Sequence, residues 1–131
     1  MLKNHDSSAV VAVSDIARAR SFYGDTLGLE VEDESMEGVL TFRTGSTRLI
    51  VYVSDEAGTN RANALVWDVS EELDTIVAAL EAKQVVFEHY PGIGELQGNV
   101  HVGGGMKLVW LKDPDGNVLH LMSPGGSEPE A

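Results

Sequence analysis

The sequence contains no cysteine, which excludes disulfide bonds, thiolate nucleophiles and cysteine-ligated metal sites. Basic residues are few, 9 against 21 acidic ones, and the net charge of −12 disfavours binding to phosphate backbones and to anionic lipid. No apolar run approaches the roughly 18 residues that a membrane span needs. Residues 1–6 lack the apolar stretch of a signal peptide. These absences favour a cytoplasmic protein that binds neither nucleic acid nor membranes.

One supersecondary pattern occurs twice in the chain. A short apolar run, a helix-length stretch and three strand-like runs occupy about residues 8–53, and the same order returns over about residues 62–122. Val13 and Val69 hold matching places, about 56 residues apart. With 131 residues, the chain is long enough for one core and too short for two independent ones, so we expect a single domain. The duplication predicts two half-sheets that enclose a small-molecule pocket.

Two segments have the signals of helices. Asp15 can cap the first helix, and Gly28 is well placed to end it. The second helix is expected to start at Ser70 and to extend through Lys83, with acidic residues in its first turn and a one-sided apolar stripe. We expect both helices to cover the backs of the sheets.

The strand-like segments are short. They fall near residues 8–13, 28–33, 38–43, 47–53, 62–69, 85–89, 106–112 and 117–122. Gly45–Ser46 and Asp115–Gly116 predict tight hairpins. Residues 90–105 contain six glycines and one proline, which predicts a long irregular loop that covers a site. Residues 123–131 predict a loosely ordered tail.

Two stretches of the chain resemble the signatures of a known family. Residues 11–15 with 18–29 resemble the opening signature of the vicinal oxygen chelate superfamily, and residues 110–121 resemble its closing signature. Glyoxalase I, fosfomycin-resistance proteins, extradiol dioxygenases and bleomycin-binding resistance proteins are members. The resemblance extends over residues 8–122. It implies an α+β fold in which two βαβββ modules form a cupped mixed sheet with the helices packed outside. It also implies a homodimer, because partner strands often complete the cavity in this superfamily.

The resemblance also implies where a metal would bind. Enzymes of this superfamily commonly use one histidine on the first strand, a second on the strand that opens the later half, and carboxylates on the fourth or last strand. Here these positions hold Ser8, Ala64 (or Asn63 after a one-residue slip) and His120, while residues 49–53 offer no carboxylate. A divalent metal needs several N or O ligands. We therefore expect no metal and no cofactor.

Histidines elsewhere leave one alternative for a metal. A displaced site could combine His120 with His101 or His5 and a carboxylate, although no spacing motif supports it. In the simpler interpretation His5, His89 and His101 are surface or loop residues.

Several polar and aromatic residues are candidates for contact with a ligand. Strand alternation places His120 on one face with Val118 and Met122, and the resemblance implies that this face looks into the cavity. A neutral imidazole there could act as an acid or base, orient a ligand, or only hydrogen-bond a neighbouring strand. Aromatic rings could stack on a flat ligand. The candidate ligand-binding residues are His120, Trp110, Tyr52, Phe42, Tyr90 and His101.

The acidic residues of the second strand allow two interpretations. Glu30, Glu32, Asp33, Glu34 and Glu37 form either a solvated edge or an attractive surface for a cationic ligand. The sequence as a whole predicts a metal-independent protein that binds an aromatic or cationic, antibiotic-like small molecule. The alternative is a lyase, isomerase or dioxygenase that uses a displaced metal or His120 as acid or base.

Overall fold

The computed structural model describes residues 1–124, which form ten strands and two α-helices. They divide into two compact units, Met1–Thr59 with Pro114–Gly116, and Asn60–Asp113 with the chain from Asn117 onward. Each unit holds one mixed sheet and one α-helix. The predicted α+β class with two βαβββ modules is therefore confirmed. No helix within residues 1–124 is long and apolar enough to cross a membrane.

The first unit contains a four-stranded sheet in the order β1-β4-β3-β2. Its strands are β1 (Ala9–Val13), β2 (Glu30–Asp33), β3 (Val39–Thr44) and β4 (Thr47–Val53). β1 runs parallel to β4, and the other pairs are antiparallel. Alternate residues on three of these strands form the core, since one face of a strand takes every second side chain. These residues are Val11, Val13, Leu40, Phe42, Leu49 and Val51.

The first helix differs in part from the expected one. It begins as α1 (Ile16–Ala19) and continues as a π-helical segment over Arg20–Thr26. Asp15 caps it as predicted, because its carboxylate accepts the backbone N–H of Arg18 at 3.0 Å. Gly28 has a φ of +80°, the left-handed conformation expected just after a helix.

The second unit contains a six-stranded sheet in the order β5-β10-β9-β8-β7, with β6 also paired to β9. β5 runs parallel to β10. A single 3₁₀ turn, Ser70–Glu72, leads into α2. The elements are β5 (Asn63–Asp68), α2 (Leu73–Ala82), β6 (Phe87–Glu88), β7 (Glu95–Gln97), β8 (Val100–Gly103), β9 (Met106–Lys112) and β10 (Val118–Ser123).

Three local expectations need correction. The glycine-rich segment 90–105 is not wholly irregular, because β7 and β8 form a hairpin within it and β8 pairs with β9. The α-helix begins at Leu73 rather than at Ser70, because Ser70–Glu72 form a 3₁₀ turn in which Ser70 has a φ of +50° and donates its backbone N–H to the Asp68 carboxylate at 3.0 Å. Ser123 belongs to β10 rather than to a tail. Residues 125–131, the rest of the expected tail, lie outside the described part of the chain.

Candidate functional site

A cluster of aromatic rings lies on β9 and β10 in the second unit. Trp110 and His120 are direct cross-strand partners, and their rings stack with centroids 4.4 Å apart and an interplanar angle of 14°. Tyr90 and His101 meet the Trp110 ring edge-on, at centroid distances of 5.2 and 5.3 Å. The indole N–H of Trp110 donates to the side-chain oxygen of Asn63 at 3.1 Å. Four of the six predicted residues are thus brought together, three on the strands β8, β9 and β10 and Tyr90 in the segment just after β6.

His120 has one satisfied and one available ring nitrogen. Its Nδ1 lies 3.0 Å from the carbonyl oxygen of Val109 on the neighbouring strand. A carbonyl oxygen only accepts hydrogen bonds, so Nδ1 carries the proton of the neutral ring. No residue within 1–124 bonds Nε2, and no buried side-chain nitrogen or oxygen in that range lacks a partner. Nε2 is therefore not fully buried and is available to accept a hydrogen bond.

His101 uses both ring nitrogens within the protein. It is 2% exposed. Its Nδ1 lies 2.8 Å from the carbonyl oxygen of Ile93, and its Nε2 accepts the backbone N–H of Tyr90 at 3.4 Å. These two bonds attach the segment 90–94 to β8. His101 therefore positions a wall of the site and has no ring nitrogen left for a ligand.

A pocket of ≈ 290 Å³ opens beside this cluster and shares Tyr90 and His101 with it. Its wall is built mainly by the segment that precedes β7. The lining residues are His89, Tyr90, Pro91, Gly92, Ile93, Gly94, Leu96 and His101.

Gly94 is required where this wall approaches β8. A Cβ on this residue would lie 2.5 Å from the carbonyl oxygen of Val102, and its φ is +60°. Any larger residue would push the wall away from the sheet.

The other two predicted residues lie in the first unit. Phe42 is 0% exposed and packs against Tyr23, with ring centroids 6.0 Å apart. It is a core residue of the first unit, and this burial does not support the expectation that it stacks on a ligand. Tyr52 is 37% exposed on β4.

Three of the five acidic residues around the second strand are paired with arginines. Glu30 binds Arg43 at 2.9 Å, and two further glutamates of the cluster form ion pairs of the same kind. Hydrogen bonds from the backbone and then the side chain of Ser35 lower the pKa of Asp33, while slight desolvation acts in the opposite direction. These contacts favour the solvated-edge interpretation over a binding surface for cations. The further pairs are Glu32–Arg48 and Glu34–Arg20.

The residues at the superfamily's metal positions do not fit a divalent metal. Ser8 offers only an exposed hydroxyl, Ala64 offers no donor, and the side-chain oxygen of Asn63 already accepts the Trp110 N–H. Among residues 1–124, no three His, Cys, Asp or Glu side chains are arranged to hold a metal ion. These residues therefore support no metal-dependent chemical step, and the absence of a metal from the purified protein stays a prediction.

Sequence reasoning did not include His89, a polar residue of the pocket, among the candidate ligand-binding residues. Its Nε2 lies 2.8 Å from the side-chain oxygen of Asn99, whose amide nitrogen donates to Glu81 at 2.8 Å. The three residues are spread over the chain between positions 81 and 99, and no motif connects them. Only the fold shows that they are neighbours.

Comparisons with known proteins agree with this architecture. A family model described as the Glyoxalase/Bleomycin resistance protein/Dioxygenase superfamily matches residues 7–121. A sequence comparison with curated proteins found no match.

Several solved structures are similar over most of the chain. A glyoxalase family protein from Enterococcus faecalis has 22% sequence identity and a TM-score of 0.70, and the match covers 94% of this chain and 100% of that one. A lactoylglutathione lyase from Agrobacterium tumefaciens has 19% identity and a TM-score of 0.70, with 95% and 97% covered. A fosfomycin resistance protein from Listeria monocytogenes has 15% identity and a TM-score of 0.69, with 90% and 91% covered. At these identities the likeness concerns the fold alone.

Proposed function

The chain belongs to the Glyoxalase/Bleomycin resistance protein/Dioxygenase superfamily, and from this premise we propose that it binds a small aromatic molecule without the help of a metal. One observation carries the proposal: the Trp110–His120 stack lies beside a preformed pocket and shares Tyr90 and His101 with it. Ligand sites are concave, mostly apolar and supplied with a few placed polar groups. The second unit has each of these features.

The volume of the pocket and the net charge of the protein restrict the class of ligand that we propose. A pocket of ≈ 290 Å³ lies just below the usual range for ligand sites, about 300–1,000 Å³, so it suits a small ligand of one or two fused rings. Tyr90 offers a half-buried ring for an edge-on or stacked contact. With a net charge of −12, the protein would repel an anion and attract a cation, so a neutral or cationic ligand is favoured.

His120 supports a second candidate function. Its available Nε2 could take a proton from a bound substrate, as a metal-free lyase or isomerase would require. The two candidates differ in one measurement, because only an enzyme would convert the bound compound. Product analysis of each binder by mass spectrometry separates them.

We also propose that the protein is a homodimer. Val10 on β1 and Val66 on β5 hold equivalent places in the two modules, and they are 55% and 54% exposed. β1 and β5 are each an edge strand of their sheet. Apolar side chains on an exposed edge strand are typical of a surface that a partner covers.

The binding proposal is tested with variants of the stack. A thermal-shift screen of one- and two-ring aromatic compounds supplies a ligand, and calorimetry then compares His120→Phe with the wild type. The variant keeps the ring but removes both nitrogens, so we expect a loss of about 1–3 kcal/mol of binding free energy and a smaller change in stability. Trp110→Ala should weaken the binding of flat ligands through lost contact area.

His5→Phe is the matched control, because it makes the same replacement at an exposed residue near the N-terminus and should leave affinity unchanged. A large fall in melting temperature of His120→Phe with unchanged affinity would contradict the proposal, since His120 would then be a structural residue.

A further inference from the structure

His89 is held in a chain of hydrogen bonds that joins three elements of the second unit. The chain begins at Glu81 on α2, passes through Asn99 in the turn between β7 and β8, and ends at His89 just after β6. Both bonds in it are 2.8 Å long. His89 also lines the pocket and lies edge-on to His101, with centroids 6.3 Å apart.

The order of donors and acceptors fixes the tautomer of His89. A carboxylate only accepts hydrogen bonds, so the amide nitrogen of Asn99 must face Glu81 and its oxygen must face His89. The Nε2 of His89 therefore carries the proton and donates it to Asn99. In the neutral ring the lone pair then sits on Nδ1, which no residue within 1–124 occupies with a hydrogen bond.

The same rule gives His101, the other histidine of the pocket, the opposite tautomer and no free nitrogen. Its Nδ1–H donates to Ile93 and its Nε2 accepts from Tyr90. Ile93, Leu96 and Pro91 add apolar surface. The residues that line this pocket thus supply rings, aliphatic groups and, in His89, an imidazole with one nitrogen able to accept a hydrogen bond.

We propose that the pocket recognises a flat ring system bearing an N–H or O–H donor, such as an indole, a phenol or an aryl amine, and that Nδ1 of His89 accepts that donor. Glu81 and Asn99 are positioning residues, because they act on the ligand only through the tautomer of His89. This inference rests on the proposed function, since it names the ligand class and the polar contact of the same site.

The tautomer is tested first, without any ligand. Nitrogen-15 NMR of histidine-labelled protein distinguishes the two neutral forms of each ring. We expect His89 to be protonated at Nε2 and His101 and His120 at Nδ1. Asn99→Ala should release His89 into a mixture of both forms while the spectra of His101 and His120 stay unchanged. A His89 ring protonated at Nδ1 in the wild type would overturn the inference.

Ligand recognition is tested with indole and benzofuran, two probes of the same shape of which only indole carries an N–H donor. We expect indole to bind roughly 2- to 10-fold more tightly, the range that one net hydrogen bond supplies, and to shift the Nδ1 resonance of His89. His89→Phe should remove the preference for indole while retaining a ring at the pocket. Because His89 is exposed, this variant should melt like the wild type. His5→Phe is the control that keeps the preference.

The possible outcomes separate the two proposals. Equal binding of both probes with no shift at His89 would overturn the inference and leave the proposed binding function standing. If neither probe perturbs any residue of the pocket, the proposed function fails and this inference fails with it. A preference for indole that survives His89→Phe would place the acceptor elsewhere and overturn the role of His89.

Discussion

At the scale of single residues, the oxygen atom that faces each imidazole of the second unit determines which ring nitrogen carries the proton. His101 and His120 each point Nδ1 at a backbone carbonyl, whereas His89 points Nε2 at an amide oxygen. The sequence identified His120 through strand alternation, and it identified Trp110 and Tyr90 as aromatic candidates. It could not rank His89 above other surface histidines, because residue type says nothing about a partner that only the fold supplies.

Phe42 shows that sequence reasoning also cannot distinguish the two faces of a strand. Alternation predicts which residues share a face of a strand, but it does not say which face is closed by the helix. Phe42 lies on the closed face with Tyr23. A ring on either face carries the same sequence signal.

Asp115 provides a prediction about stability and pH. Burial raises the pKa of its carboxyl, but two hydrogen bonds from Ser14, at 2.6 and 3.0 Å, and the charge of Arg18 at 3.1 Å outweigh that effect and lower it. Because the pKa of Asp115 is lower in the folded state, its carboxylate stabilises the fold at pH values above the unfolded pKa of about 3.9. This stability is lost as the pH falls through the folded pKa.

We therefore expect Asp115→Asn to lower the free energy of unfolding by about 1–2 kcal/mol at pH 7, and we expect this loss to shrink toward zero as pH falls below about 4. Urea unfolding at several pH values measures it. Asp55→Asn is the control, since Asp55 is exposed and should show almost no change. A loss that is constant over the whole pH range would contradict the assignment.

At the scale of elements, the structure explains why the two signature segments matter. Ser14 and Arg18 belong to the opening signature, and Asp115 belongs to the closing one. The three residues form one hydrogen-bonded group in the first unit, although 101 positions of the chain separate Ser14 from Asp115. At Ser14, Arg18 and Asp115 the signatures therefore specify contacts that hold the fold together. This is consistent with their strong indication of architecture and their weak indication of function.

The boundaries of elements were harder to predict than their existence. The first helix widens into π turns over Arg20–Thr26, a change that a few apolar positions in seven residues cannot reveal. The glycines around the β7–β8 hairpin made this segment resemble an irregular loop. Two of them are part of the hairpin's geometry, since Gly98 in its turn has a φ of +64° and Gly94 packs against β8. The glycines of residues 90–105 thus correctly indicated turns, but they wrongly indicated that the whole segment is irregular.

The prediction about assembly concerns the edge strands β1 and β5. We expect the wild type to be a dimer in light scattering at micromolar concentration, and we expect Val10→Lys combined with Val66→Lys to shift it to monomer, because a buried lysine charge in the interface is costly. Val86→Lys is the matched control: Val86 is 77% exposed and lies outside the strands. A wild type that is monomeric at these concentrations would contradict the proposal.

At the scale of the whole molecule, the net charge of −12 affects how any metal measurement must be read. A strongly acidic surface attracts divalent cations without forming a defined site, and salt screens this attraction over about 8 Å at physiological ionic strength. Weak cation binding that disappears in salt is therefore a property of the charge. Only a stoichiometric metal that survives salt would indicate a coordination site.

We predict that protein purified without tags or added ions, and dialysed against about 0.15 M salt, holds no stoichiometric Ni, Zn, Fe or Mn. The physical reason is the number of donors: Ser8 and Ala64 cannot replace two imidazoles, and His120 alone does not hold a transition metal tightly. Elemental analysis measures the content, and a melting curve with and without EDTA checks that no ion supports the fold. About one equivalent of metal that is lost in His120→Ala would refute the prediction. It would also shift the interpretation toward a metal-dependent lyase, isomerase or dioxygenase, because His120 would then bind the metal together with donors other than Ser8 and Ala64.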